Sequence, residues 1–305
     1  MTVEISQYSD LNLLRDSNKE FALTEDLNCG GRKIDTIENF TGEFHGNGYE
    51  IKNLELEEGL FTELADNSVV QDLCISEVTV VNNKESQEYL GVLANKLDNA
   101  SVENVNIKKL SVNVTGITYS FGGIAGGCVD SKISNCSVHF EETNLLKSPN
   151  YIGGICGKTY TGNIIEVFVS GHIDAPRHSV VGGVIGSTHG TYQVGPNRME
   201  VTVSLNNTDG KSTIGGLIGE HKADNLIAFT DSYYAGDIKN GNPTGLLVGV
   251  MKNNIIISNI CCVGDKKLIG DKVEKNYEYH RDNIDTCDRV KSKSEAERKI
   301  IANKI

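Results

Sequence analysis

The chain has 305 residues, a formal net charge of −12, 32 glycines, four prolines and no tryptophan. This acidic balance excludes nucleic-acid binding through phosphate contacts, and no apolar run is long enough for a membrane-spanning helix. Residues 1–6 lack the basic and apolar regions of a secretory signal, so we expect synthesis as a soluble cytoplasmic protein. The final compartment stays open and includes display in a surface or virion assembly.

The first 56 residues are expected to form an N-terminal cap followed by lead-in strands. Ser9 is a suitable N-cap for a short helix within residues 1–20, and Leu11 and Leu14 lie on one face of that helix. Strands are expected over residues 21–56. They are interrupted by a tight turn at Asn47-Gly48, because this dipeptide favours positive φ.

Residues 57–264 are expected to form a repeat domain, because a glycine–aliphatic signature returns there at steady intervals. Starting from Gly59, successive copies are 32, 32, 31, 29, 33 and 30 residues apart, with Leu246 taking the register of Gly216 in the last copy. A fixed period in this range is typical of stacked arrays, in which each unit covers the apolar face of the next. The glycines expected to set the coils are Gly91, Gly123, Gly154, Gly183, Gly216 and Gly245.

A second column follows each glycine by about a dozen residues and begins with one polar residue. Apolar side chains then occupy every second position, as Leu73 and Ile75 do after Asp72. Period-two alternation indicates a strand with one buried face, so we expect the polar residue to point outward. The column consists of Asp72, Asn104, Asn135, Glu166, Glu200, Asp231 and Asn259.

Together the two columns predict an all-β fold, a right-handed parallel β-solenoid (β-helix) of about seven coils with helical caps at its ends. Period-two alternation argues against helical repeats, and a propeller blade would need about 40 residues. Residues 265–305 form a charged C-terminal cap in this prediction. A capping box over residues 294–297 predicts a short helix from about Glu295.

The eight cysteines contain no Cys-x-x-Cys pair, and two of them, Cys136 and Cys156, replace aliphatic residues in the repeat columns. Buried, reduced thiols behave in this way in a core. We therefore expect structural thiols, with a disulfide and a metal site as the weaker alternatives.

The unit Gly-Gly-Leu-Ile-Gly at residues 215–219 resembles the GLUG motif, and residues 122–126, 153–157 and 182–186 match it too. Residues 40–56 look like the lead-in segment of such arrays, and residues 231–238 resemble the segment that follows the motif. The resemblance implies a β-solenoid of the kind found in bacterial surface proteins and adhesins. Similar arrays form the non-catalytic region of immunoglobulin A1 peptidases, and related solenoids occur in phage tail proteins.

Sequence motifs for catalysis are absent. The chain has no His-Glu-x-x-His, no Gly-x-Ser-x-Gly and no phosphate-binding loop, since the Gly-Lys-Thr at residues 157–159 has the wrong spacing and lies in a repeat column. The first hypothesis is therefore a non-enzymatic binding or structural module for surface attachment, or a part of a phage-like or secreted assembly. Its partner would be a protein or glycan on a surface, and self-association into a homo-oligomer is an open alternative.

The second hypothesis is a polysaccharide-acting enzyme of the tailspike type, a hydrolase or a lyase. Stacking brings equivalent residues of adjacent coils within about 5 Å, so acidic members of the polar column could act in pairs. We expect no cofactor, with Ca²⁺ at the acidic columns as the alternative. The candidate catalytic carboxylates are Glu166, Glu200 and Asp231. The candidate sugar-stacking aromatics are Tyr151, Tyr160, Tyr192, Tyr233 and Tyr234; of the adjacent last two, one is expected to face outward.

Overall fold

The computed structural model describes residues 1–15, 18–145, 150–189, 197–207, 210–222, 227–230, 232–252, 255–258, 260–263, 266–267, 269–272 and 287–290. Short parallel strands make up most of this part of the chain, and one 3-10 helix spans Tyr8–Arg15. None of the described helical residues forms a segment long and apolar enough to cross a membrane.

The strands of the first half, in chain order, are β1 (Val3–Ile5), β2 (Glu20–Leu23), β3 (Leu27–Lys33), β4 (Glu43–His45), β5 (Glu50–Leu56), β6 (Phe61–Ala65), β7 (Val69–Asn82), β8 (Gln87–Gly91), β9 (Ala94–Asp98), β10 (Ser101–Val114), β11 (Thr118–Gly122), β12 (Ala125–Val129), β13 (Ser131–Ser134), β14 (Ser137–Leu145), β15 (Tyr151–Gly153) and β16 (Cys156–Thr159). The strands of the second half are β17 (Gly162–Ala175), β18 (Val180–Gly182), β19 (Ile185–Thr188), β20 (Asn197–Val201), β21 (Ser204–Asn207), β22 (Ser212–Gly215), β23 (Ile218–His221), β24 (Ile227–Thr230), β25 (Tyr233–Tyr234), β26 (Ile238–Lys239), β27 (Gly241–Gly245), β28 (Val248–Met251), β29 (Ile255–Ser258), β30 (Ile260–Val263), β31 (Ile269–Lys272) and β32 (Cys287–Val290).

These strands form three parallel sheets that run along a β-solenoid. The second sheet contains six strands, β8, β11, β15, β18, β22 and β27, and the third contains eight, β6, β9, β12, β16, β19, β23, β28 and β31. The other 18 strands form the broad sheet. From β7 to β28 each coil passes through the broad, second and third sheets in turn, as β7, β8 and β9 do. The predicted parallel solenoid is confirmed. The predicted number of seven coils differs from what the described chain shows, because its second and third sheets contain six and eight strands.

The N-terminal segment is stacked onto the same solenoid. Strand β1 pairs with β2, β2 with β4, and β4 with β7, so the lead-in strands extend the broad sheet. The predicted helix is a 3-10 helix rather than an α-helical cap, and a strand precedes it. Leu11 and Leu14 are both buried in the core. The carboxylate of Asp10, not Ser9, accepts hydrogen bonds from the backbone N–H groups of Ser6 and Gln7 just before the helix.

The turn predicted at Asn47-Gly48 is present. Asn47 and Gly48 have φ of 52° and 80°, and the N–H of Tyr49 donates to the carbonyl oxygen of Gly46 at 2.8 Å. Both flanking strands, β4 and β5, pair in parallel with β7, so the turn is a kink within one coil. At the other terminus, β31 and β32 continue the ladders of β28 and β30, whereas the helix predicted from Glu295 lies outside the described residues.

The glycine signature forms the sharp corner between the second and third sheets. The first glycine ends the second-sheet strand, and the third-sheet strand begins three residues later. In this register Gly91 aligns with Gly122, and Gly215 with Gly245. The predicted glycine column therefore mixes two positions. Gly91 and Gly245 end strands, whereas Gly123, Gly154, Gly183 and Gly216 lie one residue further on, inside the corner.

The glycines inside the corner leave no space for a side chain. A Cβ on Gly183 would collide with the carbonyl oxygen of Gly216 in the next coil and lie 2.7 Å from a methyl carbon of Val201. Val138, Val169 and Tyr234 occupy the position of Val201 in neighbouring coils of the broad sheet. The corner glycines thus set how closely the sheets approach each other across the core.

The described thiols are free and mostly buried in this core. Burial raises the pKa of Cys29 to about 11 and that of Cys136 to about 12, which keeps both protonated and unreactive. Cys74 is half-buried. The free cysteines are Cys29, Cys74, Cys128, Cys136, Cys156 and Cys262.

Candidate functional site

The polar column is a backbone corner on the outer surface of the broad sheet. Asp72, Asn104, Asn135 and Glu166 have φ of 54°, 53°, 53° and 53°, and none of them is buried. The amide of Asn104 donates to Oδ1 of Asp72 at 2.6 Å, and the amide of Asn135 donates to Oδ1 of Asn104 at 3.4 Å. Short polar side chains tolerate this left-handed conformation, so the column supports a turn by a ladder of side-chain hydrogen bonds. The outward orientation is as predicted.

Glu200 does not occupy the register predicted for it. Val201 pairs with Val169, which places Glu200 beside Phe168 instead of Glu166. Even so, Glu166 and Glu200 line the same surface cavity of about 220 Å³. Asp231, the third candidate carboxylate, and Asn259 lie outside the described residues.

Most of the predicted sugar-stacking aromatics are not available at the surface. Tyr233 and Tyr234 are only 2% and 0% exposed, so the expectation that one of them faces outward is wrong. The hydroxyl of Tyr234 donates to the carbonyl oxygen of Val203 at 3.2 Å inside the core. Tyr192 lies outside the described residues. Tyr151 and Tyr160, in contrast, take part in the cluster described next.

A groove, here called the corner groove, runs between the second and third sheets. It consists of two surface cavities of about 470 and 500 Å³ that share Ser86, Gln87 and Glu88 as lining residues. Strands β8 and β11 supply one wall, β6 and β9 the opposite wall of the first cavity, and Lys158 of β16 lines the second. Ligand sites are typically concave surfaces on which aromatic side chains and a few placed polar groups converge, and the second cavity combines both kinds of group.

Lys158 lies at the centre of a lysine–tyrosine cluster in the second cavity. Its Nζ is 4.7 Å from the ring centroid of Tyr160, 5.3 Å from that of Tyr119 and 5.5 Å from that of Tyr151. The side chain is only 8% exposed. Within the described chain no carboxylate pairs with this ammonium group, which instead contacts the three rings and interacts with the hydroxyl of Tyr160.

His189 extends the cluster into the next coil. Its ring lies 6.0 Å from that of Tyr151 and 5.7 Å from that of Tyr160. Burial first, and then the charge of Lys158, lowers the pKa of His189 to about 4, so the imidazole is neutral near pH 7. Its Nε2 is 2.9 Å from the hydroxyl of Ser187.

The neighbouring carboxylate of Glu220 is already engaged. The hydroxyl of Ser187 donates to Glu220 at 2.9 Å, and the ammonium of Lys222 lies 2.7 Å from the same carboxylate oxygen. Ser187 is fully buried, and its hydroxyl already donates to the carboxylate of Glu220, which can only accept. This serine is therefore not arranged as a nucleophile activated by a base. The geometry suits binding and offers no catalytic pair at this place.

The repeat register explains why these side chains meet. Tyr89 and Tyr151 both align with Ser120 in the second sheet, while Lys158 aligns with Ser187 in the third. Sequence reasoning identified Tyr151 and Tyr160 but missed Tyr119, Lys158 and His189. Tyr89 and Tyr151 are two repeat lengths apart, and this spacing indicates from the sequence that tyrosines share one register of the second sheet. No three His, Cys, Asp or Glu side chains in the described part of the chain are placed to share a metal ion.

Comparison with known proteins gives a curated relative and several solved structures, two of which are described below. No family model matches the chain. The chain is similar to part of an immunoglobulin A1 protease. This relative, from Streptococcus sanguinis, is 28% identical over 218 residues, which are 69% of the chain and 10% of the protease. The chain thus spans about a tenth of the length of the curated relative that it matches.

The solved structures share the fold at low sequence identity. A Bacteroides ovatus protein provisionally described as an immunoglobulin A1 protease covers 98% of the chain with a TM-score of 0.55 and 16% identity, and 86% of that protein is matched. A structure described as IgA1 protease covers 93% of the chain with a TM-score of 0.53 and 16% identity, and 21% of it is matched. These likenesses support the all-β solenoid architecture, whereas the GLUG assignment remains a prediction.

Proposed function

We propose that this chain is a non-catalytic β-solenoid module that binds a surface ligand through the corner groove. The observation that carries the proposal is the lysine–tyrosine cluster, a buried ammonium among three tyrosines at the wall of a cavity of about 500 Å³. The sequence similarity to an immunoglobulin A1 protease fits this role, because a segment equal to a tenth of that protein can serve as an accessory to an enzyme.

The rim of the groove adds apolar contact area. Tyr119 is 38% exposed and Ile117 is 55% exposed, and both line the cavity that contains Lys158. Aromatic side chains contribute strongly to binding because they bury a large area with few rotatable bonds. A rigid coil holds these residues in place, so little conformational entropy is lost on binding. Attachment to a cell surface, as in an adhesin, is the role that we propose for this binding.

The first experiment compares two tyrosines of equal exposure. Purified protein is applied to glycan and protein arrays, and the bound ligand is retested with Tyr119→Ala and Tyr49→Ala. Tyr49 is 37% exposed and does not line the groove, so it is the matched control. We expect Tyr119→Ala to weaken binding at least fivefold and Tyr49→Ala to leave it unchanged. Equal effects of the two variants, or no ligand at all, would contradict the proposal.

The polysaccharide-acting alternative rests on the cavity shared by Glu166 and Glu200. Paired carboxylates are the machinery of most glycoside hydrolases. The test incubates the protein with surface polysaccharides and with immunoglobulin A1 and measures chain length over time. Our proposal expects all substrates to remain intact. Depolymerisation that is lost in both Glu166→Gln and Glu200→Gln would establish the alternative instead.

A further inference from the structure

Lys158 differs from the other lysines that line the corner groove. Lys84 is paired with Glu58, and Lys96 is paired with Glu63 at 2.8 Å and with Asp98 at 2.6 Å. No carboxylate of the described chain pairs with Lys158, although its side chain is the most buried of the three. Buried charges are normally neutralised by a partner, because the low-dielectric surroundings penalise an isolated ion. The position next to this ammonium group is therefore favourable for a ligand anion.

A second group at the same cavity has no hydrogen-bond partner within the described chain. Thr118 lines the cavity together with Lys158, and its buried hydroxyl has no hydrogen-bond partner among the described residues. An unsatisfied buried hydroxyl is costly, and a ligand that supplies a donor or acceptor removes this cost. The anion site and the unsatisfied hydroxyl thus lie in one cavity.

The remaining lining restricts the kind of anion. Asn150 and Ser86 offer an amide and a hydroxyl group, which match a ligand rich in hydroxyl groups, whereas the amide of Gln87 is already bonded to Asn82 and Tyr89. Glu88 lines the cavity too, and its carboxylate interacts with the hydroxyl of Tyr89. Its negative charge and the net charge of −12 on the chain disfavour polyanions such as nucleic acids.

We propose that the second cavity of the corner groove binds a sugar residue with a single negative charge, whose carboxylate or sulfate ester lies beside Lys158. The sugar hydroxyls then face Thr118, Glu88 and the amide side chains, and the exposed ring of Tyr119 covers one face of the sugar. This inference rests on the proposed function of the groove as a binding site. It adds the chemical class of the ligand and the residue that selects it.

The test measures affinity by titration calorimetry with four free sugars. N-Acetylneuraminic acid and glucuronic acid carry a carboxylate, galactose 6-sulfate carries a sulfate ester, and galactose is neutral. We expect at least one class of anionic sugar to bind about tenfold or more tightly than galactose, with carboxylate and sulfate arms separating the two sources of charge. Equal affinity for galactose and all three anionic sugars would overturn the proposal.

Variants then assign the selectivity to Lys158. Lys158→Met removes the charge but keeps a flexible apolar chain among the tyrosines, and we expect it to abolish the preference for anionic sugars. Lys132→Met is the matched control, because it removes one positive charge on β13 of the broad sheet, outside the groove. We expect the control to bind within twofold of the wild type. An unchanged preference in Lys158→Met would refute the assignment.

Two further measurements keep the test decisive if Lys158→Met fails to fold. Thr118→Val is nearly isosteric and should weaken the binding of anionic sugars severalfold. In the wild type, a rising NaCl concentration should also weaken the binding of anionic sugars. Binding that ignores both changes would refute the proposal. If arrays yield a neutral glycan that depends on Tyr119 but not on Lys158, the binding function stands and this inference fails. If no ligand depends on Tyr119, both fail.

Discussion

Replacement of Gly183 by alanine should destabilise the solenoid far more than the size of a methyl group suggests. The new Cβ would collide with the carbonyl oxygen of Gly216 and lie 2.7 Å from a methyl carbon of Val201. Carbon atoms in favourable contact are about 3.5–4.0 Å apart, so the valine must retreat by about 1 Å. A backbone carbonyl cannot rotate away as a side chain can, and the adjacent coils must therefore separate.

The magnitude follows from two contributions. Overpacking of a well-filled core costs about 1–3 kcal/mol. Separation of the coils also stretches the hydrogen bonds from Gly183 N–H to the carbonyl oxygen of Gly215, at 3.2 Å, and from Val184 N–H to that of Leu217, at 2.9 Å. Their weakening adds about 1 kcal/mol, and the reduced entropy of the unfolded chain returns less than about 1 kcal/mol. We expect a net loss of about 2–3 kcal/mol.

Urea unfolding followed by circular dichroism measures this loss as a lower transition midpoint at constant slope. Gly31→Ala is the matched control, because a Cβ there meets no atom within 4 Å and only its φ of 72° is unfavourable. The control should lose about 1 kcal/mol. If Gly183→Ala unfolds at the same urea concentration as the control or the wild type, the corner glycines do not set the spacing of the coils.

Three further results are expected. NMR titration should find a His189 pKa of about 4 in the wild type and a higher pKa in Lys158→Met. Because the folded pKa lies below the ordinary 6.5, the unfolded chain binds the proton more tightly, and stability should fall as the pH drops from about 6.5 towards 4. A measured pKa near 6.5 would contradict the burial of this imidazole. Among the six thiols whose burial the structure describes, Cys74 should react first in native protein, since burial raises the pKa of the core thiols. Peptide mapping that finds one of the other five labelled faster than Cys74 would contradict this. Asn104→Ala should lower the free energy of unfolding by about 2 kcal/mol, because it loses the hydrogen bond to Asp72 and places alanine at a φ of 53°. Asn104→Gly loses only the hydrogen bond and should cost about 1 kcal/mol. Equal losses in urea unfolding would show that the backbone angle is unimportant.

The broad features of the fold could be predicted because they depend on periodicity. Alternation placed Leu73 and Ile75 inside, and the repeat length placed successive strands in one ladder. The position of Glu200 could not be predicted by aligning polar residues, since the register is set by packing. Val201 fits against the corner at Gly183, as Val169 fits against the preceding corner at Gly154, and Glu200 follows wherever that contact places it.

The lysine–tyrosine cluster could be predicted only in part. Tyr89 and Tyr151 share a register, but Tyr119 lies one position away from it and still reaches Lys158. Near a sharp corner, side chains of two sheets converge from different directions, and strict inward–outward alternation no longer describes them. The chain pattern also gives no sign that Lys158 lacks a carboxylate partner, because that depends on which lysines the nearby glutamates have already engaged.

The corner glycines and the cluster respond differently to a change in the number of coils. Removing one whole turn between β10 and β23 rejoins the ladders, since the turns there share the glycine corner and pair in parallel with their neighbours. The lysine–tyrosine cluster does not survive this operation, because Tyr119, Lys158 and His189 come from successive turns. Length can therefore change by whole turns outside β6–β19 without loss of the groove. Within that stretch, a gain or loss of one turn leaves an intact rod without its binding site.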